Sequence, residues 1–145
     1  MLCHGEWMQC NDGMLRPVIV ATVWGRDNNW HRVEFLVDTG ADRTVISAGA
    51  MNLLNLEYVH SVDRVNGVGG FVESVDVTTQ IGLKRDDGQR ITLRGTYAAF
   101  LEDNELDISI LGRDILNLFA VIVDRGADRV MLLHGAHSYA IEHRQ

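Results

Sequence analysis

The sequence predicts a mostly β protein, built as a small closed barrel or sandwich with one or two short helices. Two observations support this fold class. Several short runs alternate apolar and polar residues, and clusters of Gly, Asp and Asn separate these runs at regular spacing. With 145 residues, of which 46% are apolar and 23% charged, the chain has the composition of a single globular domain with its own core.

The first half of the chain contains three predicted strands and one helix. Residues 18–24 (VIVATVW) and 30–37 predict two strands joined by the turn GRDNN, and the second strand ends at Asp38. The segment TVIS predicts a short third strand. Ser47 can then cap a helix over AGAMNLLN, because its hydroxyl can accept a hydrogen bond from an amide of the first turn.

The second half contains longer strands. EYVHSVDRV and FVESVDVTTQIGL predict a hairpin whose tip is NGVGG. After the turn RDDGQ, the run RITLRGTYAAFL predicts either a strand pair or one long bent strand. ELDISILG predicts a strand, RDILNLF a short helix, and AVIVD with VMLLH a closing hairpin around RGADR.

Charge and hydropathy exclude two classes of partner. The formal net charge is -7, and no basic cluster offsets it, so we expect no nucleic-acid binding. No apolar run approaches the length of a membrane span, and the N-terminus lacks the basic start and apolar stretch of a signal peptide. The sequence therefore predicts a cytoplasmic protein without membrane contact.

The two cysteines, Cys3 and Cys10, lie near the N-terminus, and His4 follows the first. They could form half of a metal site or a disulfide, but no second Cys/His pair completes a tetrahedral set. Two free thiols in a loose segment are the favoured interpretation. Because the six histidines show no metal-ligand spacing either, we expect no metal and no cofactor.

The strongest functional signal is the segment EFLVDTGADRTVIS, in which a strand is interrupted by Asp38, Thr39 and Gly40. Glycine lets the backbone turn sharply, and the threonine hydroxyl can bond to a neighbouring backbone group. The apolar strand delivers Asp38 to the edge of the core, where a carboxylate without a nearby cation has its charged form disfavoured. The alternative is a turn aspartate that caps its own loop, which is common for isolated Asp-Gly pairs.

This segment resembles the active-site segment of the retropepsin-like aspartic proteases. That family includes retroviral and retrotransposon proteases, the protease-like domain of the DNA-damage-inducible ubiquitin-shuttle proteins, and bacterial relatives. Two further motifs follow in the family's order: NGVGGF resembles the glycine-rich flap tip, and ISILGRDIL resembles the Gly-Arg signature before the C-terminal helix. The closing hairpin makes the layout most similar to the shuttle-protein and bacterial branch.

The resemblance implies a small closed barrel of the acid-protease type with a flap hairpin. It covers residues 18–134, so residues 1–17 become an N-terminal extension of unknown role and residues 135–145 a C-terminal tail. The extension could be a propeptide, a substrate-like tail or an appended strand.

The resemblance also implies roles for single residues. Asp38, Thr39 and Gly40 are expected to be catalytic. The residues expected to bind substrate are Ala41, Asp42, Gly67, Val68 and Gly69. A passive, flexible hairpin tip is the alternative for the three last positions, although a tip that exposes an apolar valine between glycines is typical of a lid.

Gly112 and Arg113 are expected to support the site structurally. The resemblance implies that Arg113 pairs with Asp42, four residues after the catalytic acid, in a buried ion pair. A plain helix start is the alternative for Gly112-Arg113.

The number of Asp-Thr-Gly triplets determines the expected assembly. Aspartic proteolysis needs two carboxylates that share a proton, and this chain has one triplet. The second carboxylate must then come from a second copy. The sequence predicts an aspartic endopeptidase that hydrolyses an extended polypeptide with Asp-activated water, active only as a homodimer with one Asp38 from each chain. A non-catalytic dimeric peptide-binding or dimerisation module on the same fold is the alternative.

Overall fold

The computed structural model of the protein describes residues 2–67, 70–102 and 107–144, and for residues 62–67 and 70–73 it describes only the backbone. Within these residues the chain forms mainly strands, so the mostly β prediction is confirmed. The strands are β1 (Leu2–His4), β2 (Glu6–Gln9), β3 (Leu15–Trp24), β4 (Trp30–Val37), β5 (Val45–Ile46), β6 (Val59–Gly67), β7 (Gly70–Lys84), β8 (Arg90–Ala99), β9 (Ser109–Leu111), β10 (Phe119–Asp124) and β11 (Arg129–His134), and the helices are α1 (Ala48–Leu54) and α2 (Arg113–Leu116).

Eight strands form one large sheet in the order β2-β3-β4-β9-β5-β8-β7-β6. An additional antiparallel pairing of β3 with β7, at Thr22↔Gly82 and Val23↔Ile81, folds this sheet back on itself. Because β2 and β6 remain at the two ends of the strand order, the closed barrel stays a prediction. The other three strands form a smaller sheet in the order β1-β11-β10, which contains the predicted closing hairpin.

The N-terminal residues are part of both sheets. β1 pairs with β11, and β2 pairs with β3, which begins at Leu15, ahead of the predicted start. Cys3 is buried, and this burial raises the pKa of its thiol. The ring N–H of Trp7 donates to the carbonyls of Asp124 and Arg129, at 3.3 Å each. The prediction of a loose segment is therefore wrong, whereas the prediction of free thiols is confirmed.

The long hairpin of the second half is formed by β6 and β7, whose last described pair is Gly67↔Gly70. Val68 and Gly69, the predicted flap tip, lie outside the described residues. β7 is 15 residues long, and its part from Val75 to Lys84 pairs with β8. β8 is one continuous strand, so of the two alternatives for residues 90–101 the single strand is correct.

Both predicted helices are present and short. Ser47 caps α1 as predicted, because its Oγ accepts a hydrogen bond from the amide of Ala50 at 3.2 Å. α2 ends at Leu116, and Phe119 already begins β10, so the predicted helix was three residues too long. Among the described residues, none of the helices has the length and hydropathy needed to cross a bilayer.

One large apolar core lies inside the folded sheet. In β4, alternate side chains enter this core: Val33, Phe35 and Val37 are buried. Burying a side chain such as Phe35 contributes roughly 1.5–3 kcal/mol relative to leaving it exposed. The buried part of β4 ends one residue before Asp38, so core packing determines where that aspartate emerges.

Candidate active site

Asp38 lies where β4 leaves the core. β4 pairs with β9 in parallel, with Val37 opposite Leu111, and the amide of Asp38 donates to the carbonyl of Leu111 at 3.1 Å. The Asp38 side chain is half-buried, whereas Thr39 and Gly40 are exposed. The backbone of this aspartate is thus fixed by the sheet while the following residues form an open loop.

The loop folds tightly around the Asp38 carboxylate. Oδ1 accepts a hydrogen bond from the amide of Gly40 at 2.9 Å, and the carbonyl of Asp38 accepts one from the amide of Ala41 at 3.2 Å. Oδ2 has no hydrogen-bond partner among the described residues. One carboxylate oxygen therefore stabilises the turn, and the other remains available.

α2 supports this loop from one side. The amide of Arg113 donates to the carbonyl of Ala41 at 2.8 Å, and its Nη1 donates to the carbonyl of Thr39 at 2.9 Å. Arg113 also forms the predicted ion pair with Asp42. The side chains are 41% and 84% exposed, so the expectation that this pair is buried is wrong for a single protomer.

Two residues that sequence inspection missed hold the end of the loop. Thr44 is fully buried, and its amide and hydroxyl donate to the carboxylate of Asp114, the hydroxyl at 2.7 Å. The Thr44 hydroxyl also accepts a hydrogen bond from the amide of Gly112 at 3.1 Å. The available signals were a threonine at the start of a buried strand, whose hydroxyl needs a partner, and an acid in the first turn of a helix.

Gly112 is required here by close packing. A Cβ atom at this position would lie 2.3 Å from the carbonyl carbon of Arg43 and 2.8 Å from the amide nitrogen of Thr44. Since these are backbone atoms, they cannot move away as the end of a flexible side chain could. The glycine therefore lets the start of α2 contact the end of the Asp38 loop directly.

The other side of the loop faces β7. Nη2 of Arg43 donates to Oδ1 of Asp76 at 3.0 Å, and both side chains are mostly buried. Beside this pair lies a small apolar group that we call the Phe100 cluster; its members are Val45, Ala98, Phe100 and the partly buried Ile110. Leu101, which follows Phe100 in the chain, is 47% exposed.

The structure thus brings Asp38 to Asp42 together with Gly112 and Arg113, as the sequence analysis expected. Gly67 lies at the end of β6, and the other two residues of the predicted flap tip, Val68 and Gly69, lie outside the described residues. Two surface concavities of about 480 and 490 Å³ are lined by neither Asp38 nor its loop. Within the described part of the chain, no group of three His, Cys, Asp or Glu side chains is arranged to hold a metal ion.

Comparison with known proteins identifies the family. Residues 27–118 match the family model described as "gag-polyprotein putative aspartyl protease", and this segment is more than half of the chain. The chain therefore belongs to this family of aspartyl protease sequences, and the resemblance to the retropepsin-like proteases is confirmed.

Two solved structures are similar to this chain. The EIAV protease, solved in complex with the inhibitor HBY-793, is 30% identical, with 70% of this chain and 86% of that chain covered and a TM-score of 0.48. A retropepsin-like aspartic protease from Rickettsia conorii is 21% identical, with 92% and 89% covered and a TM-score of 0.53, a likeness that concerns the fold. A search of curated protein sequences found no match.

Proposed function

We propose that this protein is an aspartic endopeptidase that acts as a homodimer in which each copy contributes Asp38. The observation that carries this proposal is the single Asp-Thr-Gly in a chain of an aspartyl protease family. Two features of the loop support it. Oδ2 of Asp38 has no hydrogen-bond partner among the described residues, and the exposed Thr39 and Gly40 leave the loop accessible to a second copy.

The reaction would use the two Asp38 carboxylates in different protonation states. The ionised carboxylate takes a proton from a water molecule, whose oxygen forms a bond to the carbonyl carbon of the scissile peptide. The protonated carboxylate donates its proton to the carbonyl oxygen. When the tetrahedral intermediate collapses, the carboxyl that took the proton from water gives it to the leaving nitrogen, the C–N bond breaks, and one hydroxyl of the intermediate returns its proton to the other carboxylate. One loop alone supplies one of these two groups.

The proposed substrate is an extended polypeptide. The partly buried Ile110 and the exposed Leu101 provide apolar surface near the ends of β9 and β8, next to the strand that anchors Asp38, and the buried residues of the Phe100 cluster support them from inside. In this proposal the hairpin tip at Gly67, Val68 and Gly69 closes over the bound chain, with Ala41 and Asp42 contacting the substrate from below.

One observation favours a second candidate, a non-catalytic dimeric peptide-binding or dimerisation module. The hydrogen bond from Gly40 to Oδ1 gives Asp38 a role in its own loop, which is what a purely structural turn aspartate would have. In that case the carboxylate would be needed for folding and not for hydrolysis.

Replacing Asp38 with Asn separates the two candidates. Asparagine keeps the Oδ1 acceptor for Gly40, so the loop should fold, but it cannot act as a base. We expect cleavage of an unfolded protein to fall at least about 1000-fold, while the dimer persists in sedimentation. Asp128→Asn, in an exposed turn, is the matched control and should cleave normally. An Asp38→Asn protein that still cleaves after repurification would contradict the proposal.

Mixing the two proteins tests the shared site. Every mixed dimer contains one carboxylate, so activity should fall as the square of the wild-type fraction after the subunits have exchanged. A linear fall would mean that each chain works alone, and the homodimeric mechanism would be wrong.

A further inference from the structure

Arg43 directly follows Asp42, yet the two side chains bind on opposite sides of the loop. Asp42 pairs with Arg113 on α2, whereas Arg43 pairs with Asp76 on β7. Arg43 lies five residues after Asp38, so the chain between them spans no more than about 18 Å. The Arg43–Asp76 pair therefore stands beside the proposed catalytic loop, on the side of the long hairpin.

This ion pair uses only part of its hydrogen-bonding capacity. A hydrogen bond joins Nη2 of Arg43 to Oδ1 of Asp76, whereas Nε, Nη1 and Oδ2 have no partner within the residues that the structure describes. By contrast, the Arg16–Asp12 pair of the same chain is bidentate, with contacts of 2.7 and 2.8 Å. A bidentate pair is stronger, so a pair that only stabilised the fold would gain from that form. The Arg43–Asp76 pair instead leaves two donors, Nε and Nη1, and one acceptor, Oδ2, that can bind a further group.

The partly exposed Arg43–Asp76 pair lies beside buried residues, some apolar and one polar. Asp76 on β7 pairs with Ala98 on β8, and Ala98 pairs with Val45 on β5, so these three residues lie side by side on adjacent strands. Ala98 and Val45 belong to the Phe100 cluster. Ser74, two residues from Asp76 and on the same face of β7, is buried, and its Oγ has no partner among the described residues. A buried hydroxyl without a partner is unfavourable.

The charges of the Arg43–Asp76 pair indicate which substrate side chain it would accept. The pair contains one positive and one negative group. A substrate carboxylate would therefore be repelled by Asp76, and a substrate ammonium would be repelled by Arg43. A primary amide has no charge and carries both an acceptor and two donors. It can accept from the guanidinium and donate to Oδ2 of Asp76, which satisfies both unused sides of the pair.

We propose that Arg43 and Asp76 form a specificity site that selects an uncharged amide side chain, Gln or Asn, in the polypeptide substrate. This inference rests on the proposed function, because it assigns a substrate preference to the same site. Arg43 lies within about 18 Å of Asp38 along the chain. An extended peptide covers that distance in about five residues, so the selected side chain lies within about five residues of the scissile bond.

Single variants of the two partners should change the preference in opposite directions. Arg43→Gln leaves Asp76 unopposed, so Lys should gain relative to Gln at one substrate position. Asp76→Asn leaves Arg43 unopposed, so Glu should gain at the same position. We expect the Lys-to-Gln ratio of kcat/KM in Arg43→Gln, and the Glu-to-Gln ratio in Asp76→Asn, each to rise at least about tenfold, since the variant removes a like charge that repels strongly at close range. A purely structural pair would instead lower all rates together and leave the ratios unchanged.

The experiment uses a peptide library that locates the cleaved bond, followed by matched peptides carrying Gln, Glu or Lys at each nearby position. The wild type should prefer Gln at one position; Arg94→Gln, an exposed arginine on β8, is the control that should keep this preference. Unchanged ratios in both Arg43→Gln and Asp76→Asn would overturn the specificity site and leave the protease proposal intact. If one variant does not fold, the ratios of the other decide.

The same peptides, labelled with a fluorophore, are also bound to protein that carries Asp38→Asn. If wild-type protein cleaves nothing but these peptides bind with the expected charge pattern, catalysis is refuted and the specificity site is supported. If no peptide is cleaved and none binds, the specificity site is refuted together with the protease.

Discussion

The two sides of the Asp38 loop differ in how they are held. On the α2 side, Gly112, Arg113 and Asp114 make backbone contacts, and the hydrogen bonds between the Asp114 carboxylate and the buried Thr44 close the end of the loop. On the β7 side, a single hydrogen bond between the side chains of Arg43 and Asp76 joins the loop to the strand. The α2 side therefore determines the loop's shape, whereas the β7 side retains polar atoms that can bind something else.

The comparison also shows that exposure of an ion pair is a poor guide to its importance. The Arg113–Asp42 pair is more exposed than the Arg43–Asp76 pair, although it lies on the more tightly held side. Exposed pairs contribute little by themselves. The stability of the α2 side must then come mainly from Asp114, Thr44 and the close approach at Gly112.

The largest effect should come from Gly112→Ala. The added methyl group would overlap backbone atoms of Arg43 and Thr44, so the loop and α2 must separate. We expect a loss of about 3 kcal/mol or more in the free energy of unfolding, because overpacking against backbone cannot relax easily. Urea unfolding measures it. Gly126→Ala is the control: its Cβ would meet Asp124 Oδ1 at an ordinary 3.5 Å, and the change should stay within about 0.5 kcal/mol.

Asp114→Ala should have the next largest effect on unfolding. The carboxylate accepts hydrogen bonds from the amide and hydroxyl of the buried Thr44, and alanine leaves both donors without this partner. The expected cost is about 2–3 kcal/mol. Asp114→Asn retains one acceptor oxygen and should lose less. If Asp114→Ala costs no more than Arg43→Ala, the proposed difference between the two sides is wrong.

Arg113→Ala should affect the isolated protomer less than Asp114→Ala does. Because the pair with Asp42 is exposed, its loss should cost at most about 1 kcal/mol in unfolding. If a second copy covers this loop, the same variant should raise the dimer dissociation constant, on the order of tenfold. Sedimentation over a dilution series measures that constant. A large loss of protomer stability without any change in the dimer would contradict this division of roles.

The smallest effect, absent at neutral pH, concerns Tyr97. Burial, and secondarily the negative charge of Asp114, raise the pKa of Tyr97 to about 12. In the unfolded chain this phenol ionises at about pH 10. The neutral, buried phenol of Tyr97 therefore contributes fully to the free energy of unfolding below about pH 10, and this contribution is lost as the pH rises towards 12. Tyr97→Phe should remove this pH dependence, and Asp114→Asn should lower the Tyr97 pKa, as followed by phenolate absorbance. An unshifted pKa would mean that Asp114 does not act on Tyr97.

Local patterns predicted a large part of the fold. The alternation in residues 30–37 placed β4 correctly, and Ser47 predicted the start of α1 because a helix cap involves neighbours in the chain. The Arg113–Asp42 contact, which joins residues 71 apart, was also predicted, but through a family resemblance rather than through the physics of either segment.

Other features depend on partners that a local pattern does not contain. The N-terminal strands form because β11 and β3 offer edges to pair with, and Cys3 is buried for the same reason. The shortness of α2 follows from the start of β10 at Phe119, which pairs with His134. The loop network needs Thr44 and Asp114 side by side, 70 residues apart in the chain.

By itself, then, the sequence determined the strand-forming segments after the N-terminal residues, the helix starts and the one Asp-Thr-Gly, since each depends on residues close together in the chain. Tertiary structure alone decided which side of the loop Asp42 and Arg43 each bind, and how deeply each pair is buried. These properties depend on where α2 and β7 pack, and packing is set by the whole core. The two adjacent residues carry opposite charges in the sequence; only the folded chain gives them different roles.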